Sequence, residues 1–422
     1  MYRHTFSALL LVFTLTATAA PAEPLTLDDA LALAEQNNPQ LRSARFNADS
    51  TSGAIMQAAA RPNPSLSFLQ EGLSGTDRTS TALINQTIEL GGKRNARLDV
   101  ASYRREAALA SLDSRAATLQ ADVASAFYGL LAAQRQLQVA EESARLAARS
   151  AGIAERRALA GKVSPVEATK ARVAASAADI EAANARRRLA TALDTLANTT
   201  GSEAPRERAA TGDLDTLPSI EPLAQLLPRI DSAPDSRAAR AEALRATAAI
   251  AVEKAKRIPD LTISAGMKRI STTGAPINQA VIGISIPLPI FDTNKGALLE
   301  AAHQAEKADA DVDAARARLR LELSQAYAAY ETAADEAHRL KADVLPAARE
   351  ALDAMSRGYE LGKFGFLDVL DAQRTLFQGE SQYVTALGDA HRAYAEISRL
   401  VGAPTSASAS SFNRDAISST GY

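Results

Sequence analysis

From Lys93 to Gly161 the chain runs for about 70 residues without a proline, which as an α-helix is a rod of about 100 Å. A second stretch, 295–361, has similar length. No compact domain of 422 residues accommodates two such rods, so the chain must fold into something elongated. Both stretches carry a seam spaced by threes and fours. In the first it is Leu109, Leu112, Ala116, Leu119, Val123, Ala126 and Leu130; in the second it is Leu319, Leu323, Ala326, Tyr330, Ala333, Ala337 and Leu340. That is coiled-coil packing with small knobs. Composition agrees: 46% of residues are hydrophobic but only 5% aromatic, Trp is absent, and alanine dominates the apolar set. An ordinary coiled-coil rod would explain these helices equally well.

The rods belong to an internal repeat. Asn63-Pro64-Ser65-Leu66 recurs as Ile258-Pro259-Asp260-Leu261, and Ala158-Leu159-Ala160-Gly161-Lys162 is echoed by Tyr359-Glu360-Leu361-Gly362-Lys363. Each half reads helix, two short strands, long helix, tight turn, helix. The first half spans 23–200: a short helix from Thr26, with Thr26 and Asp28 as caps, stops at Asn37-Asn38-Pro39. A second helix covers 39–60. Strands near 64–73 and 80–90 make a β-hairpin over 64–90, then come the long helix 93–161 and a return helix 164–199. The second half spans 235–402: a helix near 235–257, strands at 259–270 and 278–290, the long helix 295–361 and a return helix 366–401. Pro205, Pro218, Pro222, Pro228 and Pro234 mark 201–234 as a connector with one short helix. The Ser-rich tail, 403–422, reads as flexible.

The strands alternate. Leu261, Ile263, Ala265 and Met267 oppose Thr262, Ser264, Gly266 and Lys268; Ile282, Ile284, Ile286 and Leu288 share a face; Ala82, Ile84, Ile88 and Leu90 oppose Asn85, Thr87 and Glu89. Period two with one apolar face is a half-buried sheet. Runs of about 10 residues also suit a tilted crossing of an outer membrane. A soluble sheet covered by the helices is the alternative. Four strands cannot close a barrel, and open edges are not tolerated in lipid, so membrane insertion would demand assembly of several copies. Phe68 and Phe291 are the main candidates for an interfacial aromatic girdle, which is sparse.

The first 22 residues read as a secretory signal: Arg3 and His4, an apolar run from Phe6 to Ala20, and Ala20-Pro21-Ala22 as the cleavage site. The run is short for a membrane anchor, and no later segment offers 18 apolar residues in a row. The absence of Cys removes disulfides and an N-terminal lipid on Cys, so a membrane-bound form must be held by strands. The net charge of -2 gives no basic footprint for nucleic acid.

Several segments resemble the TolC-like outer-membrane factor family over nearly all of the mature chain. They are Gln86-Thr87-Ile88-Glu89-Leu90-Gly91-Gly92-Lys93-Arg94, Pro287-Leu288-Pro289-Ile290-Phe291-Asp292, and Gly362 through Ala372 (GKFGFLDVLDA), with Leu27-Asp28-Asp29-Ala30-Leu31 and Asn38-Pro39 at the start. The Glu-Leu-Gly-Gly-Lys-Arg stretch looks most like the CzcC-type branch, which serves heavy-metal cation exporters. The resemblance implies a homotrimer with a 12-stranded barrel in outer-membrane lipid and an α-helical periplasmic tunnel. The tunnel meets a periplasmic adaptor and, through it, a proton-driven inner-membrane pump of the resistance-nodulation-division class. By the same resemblance Asp368 and Asp371 match the acidic rings of the periplasmic gate. Glu167 and Tyr359 match two members of a tip latch. Phe364 stands where the family has the latch arginine, so the latch is weaker or rebuilt with Lys162 or Lys363. Gly161, Gly362 and Phe364 mark the tip turns for adaptor contact.

No catalytic constellation or cofactor motif stands out. His303, His338 and His391 lack Cys partners and H-x-x-x-H spacing. Asp309, Asp311 and Asp313 lack the glycine and the twelfth-position Glu of a calcium loop. Gly91-Gly92-Lys93 and Gly161-Lys162 fail the phosphate-loop spacing. The expectation is a passive outer-membrane exit duct of a tripartite efflux system, for heavy-metal cations of the cobalt, zinc and cadmium type. The alternatives are a duct for drugs or type I protein secretion, and a non-conducting periplasmic coiled-coil scaffold.

Overall fold

The structure, a computed structural model, describes residues 24–73 and 77–402. The signal peptide expected over 1–22 and the tail expected over 403–422 lie outside the described residues. The architecture is mainly α with a small β part. In chain order the elements are α1 (Leu27–Asn37), α2 (Pro39–Ala59), β1 (Ser65–Glu71), β2 (Arg78–Ile88), α3 (Lys93–Leu159) and α4 (Pro165–Thr200). Two short turns of helix follow, α5 (Ala204–Glu207) and α6 (Leu223–Leu226), with a 3₁₀ turn at Leu227–Ser232. The second half has α7 (Pro234–Lys256), β3 (Leu261–Ser271), β4 (Ile277–Ser285), α8 (Lys295–Arg339), α9 (Leu345–Glu360) and α10 (Phe366–Val401).

The 67 residues of α3 make it a rod of about 100 Å. Its second-half counterpart is not one uninterrupted α-helix. Pro346 has no N–H to give and its ring crowds the preceding turn. The chain widens over Leu340–Val344 into a π-turn, in which the Leu345 N–H reaches the Leu340 carbonyl, and then resumes as α9. A π-bulge keeps the axis running where an α-turn would break. The expected seam from Leu319 to Leu340 is buried at every position, whereas Leu109, Leu112, Ala116 and Leu119 on α3 are only half-buried in a single chain. The helices α4, α7 and α10 pack along α3, and α10 also packs on α8 and α9.

The sheet lies at the end of α3 where Lys93 begins it. Its order is β1-β2-β3-β4, every pair antiparallel. Register aligns the apolar residues into rows across the sheet: Phe68–Ala82–Met267–Ala280 and Leu66–Ile84–Ala265–Ile282. Among the described residues, no helix covers this face. Leu66, Phe68, Ile84, Met267 and Ile284 are exposed, and Ile282 is 82% exposed. The opposite face carries Ser65, Asn85, Ser264 and Gly283 in one row. The soluble covered sheet is therefore not what the chain forms. The strand expected over 278–290 ends at Ser285, because Pro287 and Pro289 cannot donate to a ladder. Phe291, just beyond, is 98% exposed.

The Glu-Leu-Gly-Gly-Lys-Arg stretch is the corner between sheet and rod. Gly91 and Gly92 both take left-handed φ, +71° and +73°. A Cβ on Gly91 would sit 2.8 Å from the Ile258 side chain. Lys93 Nζ then donates to Asp260 Oδ1 at 2.6 Å, and Arg97 Nη2 to Glu89 Oε2 at 2.9 Å, tying helix to strand ends. In the second half Asn294 supplies the left-handed residue, φ +55°, and its amide donates to the Glu253 carbonyl at 2.8 Å. Among the described residues, no helix is long and apolar enough to cross a membrane.

Candidate functional site

At the far end of α3 the chain makes two helical hairpins, α3–α4 and α9–α10. Each turns on a glycine in the left-handed region: Gly161 at φ +67° and Gly362 at φ +74°. Each closes with the same pair of hydrogen bonds. Gly161 N–H donates to Ala158 O (3.0 Å) and Lys162 N–H to Arg157 O (2.9 Å); Gly362 N–H donates to Tyr359 O (3.0 Å) and Lys363 N–H to Gly358 O (2.8 Å). These are Schellman closures, for which glycine pays no steric penalty.

The return helices start differently. In α4 Ser164 Oγ accepts from Val166 N–H at 3.2 Å, with Pro165 at the first helical position. In α10 Gly365 has no side chain, and the Asp368 carboxylate instead accepts the Gly365 N–H at 2.9 Å. Asp368 and Asp371 lie three residues apart on one exposed face of α10, opposite the buried Phe366, Val369 and Leu376. One of the two expected gate carboxylates is thus committed to its own helix start. Asp371 makes no hydrogen bond or ion pair among the described residues.

Tyr359 joins the hairpins. It is buried, with its ring edge-on to Phe366 at 5.9 Å. Its hydroxyl donates to Glu167 Oε1 at 3.3 Å. Arg157, from the end of α3, stacks its guanidinium 4.4 Å from the centre of the Tyr359 ring and donates through Nη1 to the Tyr359 carbonyl at 2.9 Å. Burial first, and then the Glu167 charge, push the Tyr359 hydroxyl above its ordinary pKa, so it remains a donor throughout the physiological range. The structure brings Glu167 and Tyr359 together, but the cation beside them is Arg157. Lys162 and Lys363 are exposed at the turns, with no side-chain partner among the described residues. The physical reason is reach. Both lysines lie beyond the glycine turn, at the outer end of the hairpins, whereas Arg157 lies before it, level with Tyr359. A signal for Arg157 was present: it sits one residue before the 158–162 echo, as the counterpart of Gly358.

Gly358 matters for a separate reason. A Cβ there would lie 2.1 Å from Phe364 Cδ2, so the Phe364 ring occupies the space that any other residue would fill. A second tie, Gln373 Nε2 to Ser150 Oγ at 3.0 Å, links α10 to α3 behind the clasp. Leu159, Leu361 and Leu367 stay exposed at the tip, Leu159 at 84%. Elsewhere, Asp309, Asp311 and Asp313 lie on an exposed face of α8, with Asp311 paired to Lys307 at 2.6 Å. Among the described residues, no three metal-ligating side chains converge.

A rod-and-sheet chain with an uncovered apolar sheet and a clasped helical tip has the build of an outer-membrane channel protomer, and the comparisons agree. The outer membrane efflux protein family matches residues 30–202 and 229–403, and the chain belongs to it. It is therefore an outer-membrane efflux channel protein extending into the periplasm. It is 44% identical over 382 residues to the cobalt-zinc-cadmium resistance protein CzcC of Cupriavidus metallidurans, covering 90% of this chain and 91% of that one. It is 30% identical over 300 residues to the nickel and cobalt resistance protein CnrC of the same organism, covering 70% of each. The fold matches the solved structure of CusC with a TM-score of 0.76 at 20% identity, over 89% of this chain and 92% of that one.

Proposed function

We propose that this chain is the passive outer-membrane exit duct of a tripartite heavy-metal cation efflux system. The observation that carries the duct is the four-stranded sheet, with its lipid-ready apolar face and the free edges of β1 and β4. Unpaired edges cost too much in hydrocarbon, so copies must join edge to edge. Three copies give twelve strands, enough to enclose an aqueous pore, and leave the polar rows facing it. The half-buried upper seam of α3 supports the same assembly, since a neighbouring rod would complete it. Family membership supports the homotrimer, the periplasmic adaptor and the resistance-nodulation-division pump as partners. The 44% identical relative, by its name, supports a cobalt, zinc and cadmium type of cargo.

At the periplasmic mouth the Arg157–Tyr359–Glu167 clasp holds the α9–α10 hairpin against α3 and α4. Asp368 and Asp371 then supply two rings of negative charge at the constriction, Asp368 also fixing the start of α10. Three like charges in a narrow mouth attract cations and repel anions. The exposed turns at Gly161, Gly362 and Phe364 face the adaptor. The energy for transport comes from the pump, not from this chain.

The test is growth of a strain lacking the gene across graded zinc, cobalt, cadmium, nickel and copper, with several drugs alongside. Selective cation sensitivity restored by the gene is the expected result. Sensitivity to drugs alone would keep the duct and overturn the cargo.

A further inference from the structure

The connector between the two halves crosses the helices as a strap, residues 209–218, fastened at four places. The strap meets the start of the described chain through Leu25 N–H to Ala209 O (2.8 Å) and Thr211 N–H to Leu25 O (2.9 Å). Tyr383 Oη on α10 donates to Asp215 Oδ1 at 2.8 Å, and Tyr330 Oη on α8 donates to the Pro218 carbonyl. The fourth fastening is His391 of α10, whose Nε2 lies 3.1 Å from the Leu214 carbonyl. Leu214 is buried with Phe127 and Leu131. Both tyrosines are shifted upward by burial, so they donate at any physiological pH. His391 is the fastening whose charge can change between pH 5 and 8.

Its surroundings set the direction of that change. The imidazole is 2% exposed and stacked on the Tyr128 ring of α3, centroids 3.8 Å apart and planes within 7°. A carbonyl can only accept, so Nε2 carries the hydrogen and Nδ1 is the bare nitrogen. Nδ1 is buried and has no hydrogen-bond partner among the described residues. Protonation leaves the bond to Leu214 in place but adds a buried, charged N–H with nothing to receive it. Stacking on Tyr128 recovers part of the cost. The titratable groups on the surrounding elements include Tyr128 and Arg135 on α3, Asp28 on α1, Asp213 and Asp215 in the strap, and Tyr383, Asp389, Arg392 and Tyr394 on α10, with Arg135 acting on Tyr383. Asp389 and Arg392 pair with each other at 2.6 Å, Asp215 with Tyr383, and Asp28 and Tyr394 act on Tyr128. Asp213 alone acts on the imidazole by charge, and burial outweighs it, so His391 titrates below the ordinary imidazole range. Asp213 is held ionised by Thr216 and by the Asp215 and Thr216 N–H groups, at 2.9 and 3.2 Å.

We propose that His391 is an acid-release buckle. Neutral, it holds Leu214 and the strap against α10 and α3; protonated, it favours a state in which 210–217 has lifted and the imidazolium meets water and Asp213. The closed state binds the proton less readily than the open one. Its stability is therefore complete above an open-state pKa of about 6.5 and is lost as pH falls below that value.

The experiment is hydrogen exchange on the full-length protein in detergent at pH 7.5 and 5.0, expressed as protection factors so that intrinsic exchange rates cancel. In the wild type, protection of 210–217 falls at pH 5.0, by at most about 30-fold, the limit set by 1.5 pH units below that open-state pKa. Helix segments in α3 keep theirs. In His391→Gln, which retains a donor, and His391→Phe, which retains a stacking ring, protection of the strap is the same at both pH values. Unchanged wild-type protection, or an equal fall in both variants, would overturn the buckle.

Discussion

The two tip hairpins share a backbone and differ in what fills it. Gly161 and Gly362 turn both chains with matching pairs of hydrogen bonds. The first hairpin has Ala158 and Val163 where the second has Tyr359 and Phe364, and it is capped by a neutral serine rather than by Asp368. The α3–α4 hairpin thus continues a 67-residue rod with nothing to release. The α9–α10 hairpin hangs below a π-turn and is clasped at its tip through Tyr359, whose partners Arg157 and Glu167 both come from the first hairpin. The two turns share a backbone, and the side chains around them make the first hairpin the frame against which the second is clasped.

That asymmetry can be broken by mutation. The largest effect is expected from Tyr359→Ala, which removes a buried ring, its hydrogen bond to Glu167 and its stacking on Arg157; about 3–5 kcal/mol of local stability is lost. Limited proteolysis at the 360–366 turn should accelerate while the 160–164 turn is unaffected. Arg157→Ala removes a charged hydrogen bond and a cation–π contact, about 2 kcal/mol together, and Arg157→Lys recovers only part because a lysine cannot both stack flat and donate. Gly358→Ala evicts Phe364 at about 1–3 kcal/mol, read as tip-local hydrogen exchange. Ser164→Ala costs about 1 kcal/mol, confined to the first hairpin. Asp371→Asn leaves the melting temperature unchanged but lowers cation over anion selectivity in planar bilayers. Unchanged selectivity would remove Asp371 from the gate.

Much of this was legible in the sequence. The seam from Leu319 to Leu340 is buried throughout, and the strand alternation produced an apolar face in register across all four strands. Where reading by periodicity failed, covalent geometry was the cause. Pro346 sits inside a good heptad pattern, and Pro287 and Pro289 inside a good strand pattern; apolar spacing is blind to a missing N–H. The α3 seam from Leu109 to Leu119 is only half-buried in a single chain, so its spacing alone did not tell which partner it packs against. Arg157 was missed because its partner lies 202 residues away, and only the fold brings them level. Nothing in the sequence separates His391 from the other histidines; that it is buried with its Nδ1 bare follows only from the packing.

The most direct test is the conductance of single channels of purified protein in planar bilayers, wild type against Arg157→Ala. If the chain forms a duct whose mouth is held by the clasp, both conduct and the variant shows the larger, longer-lived openings. Equal conductance in the two would contradict the clasp, and no conductance in either would contradict the duct itself.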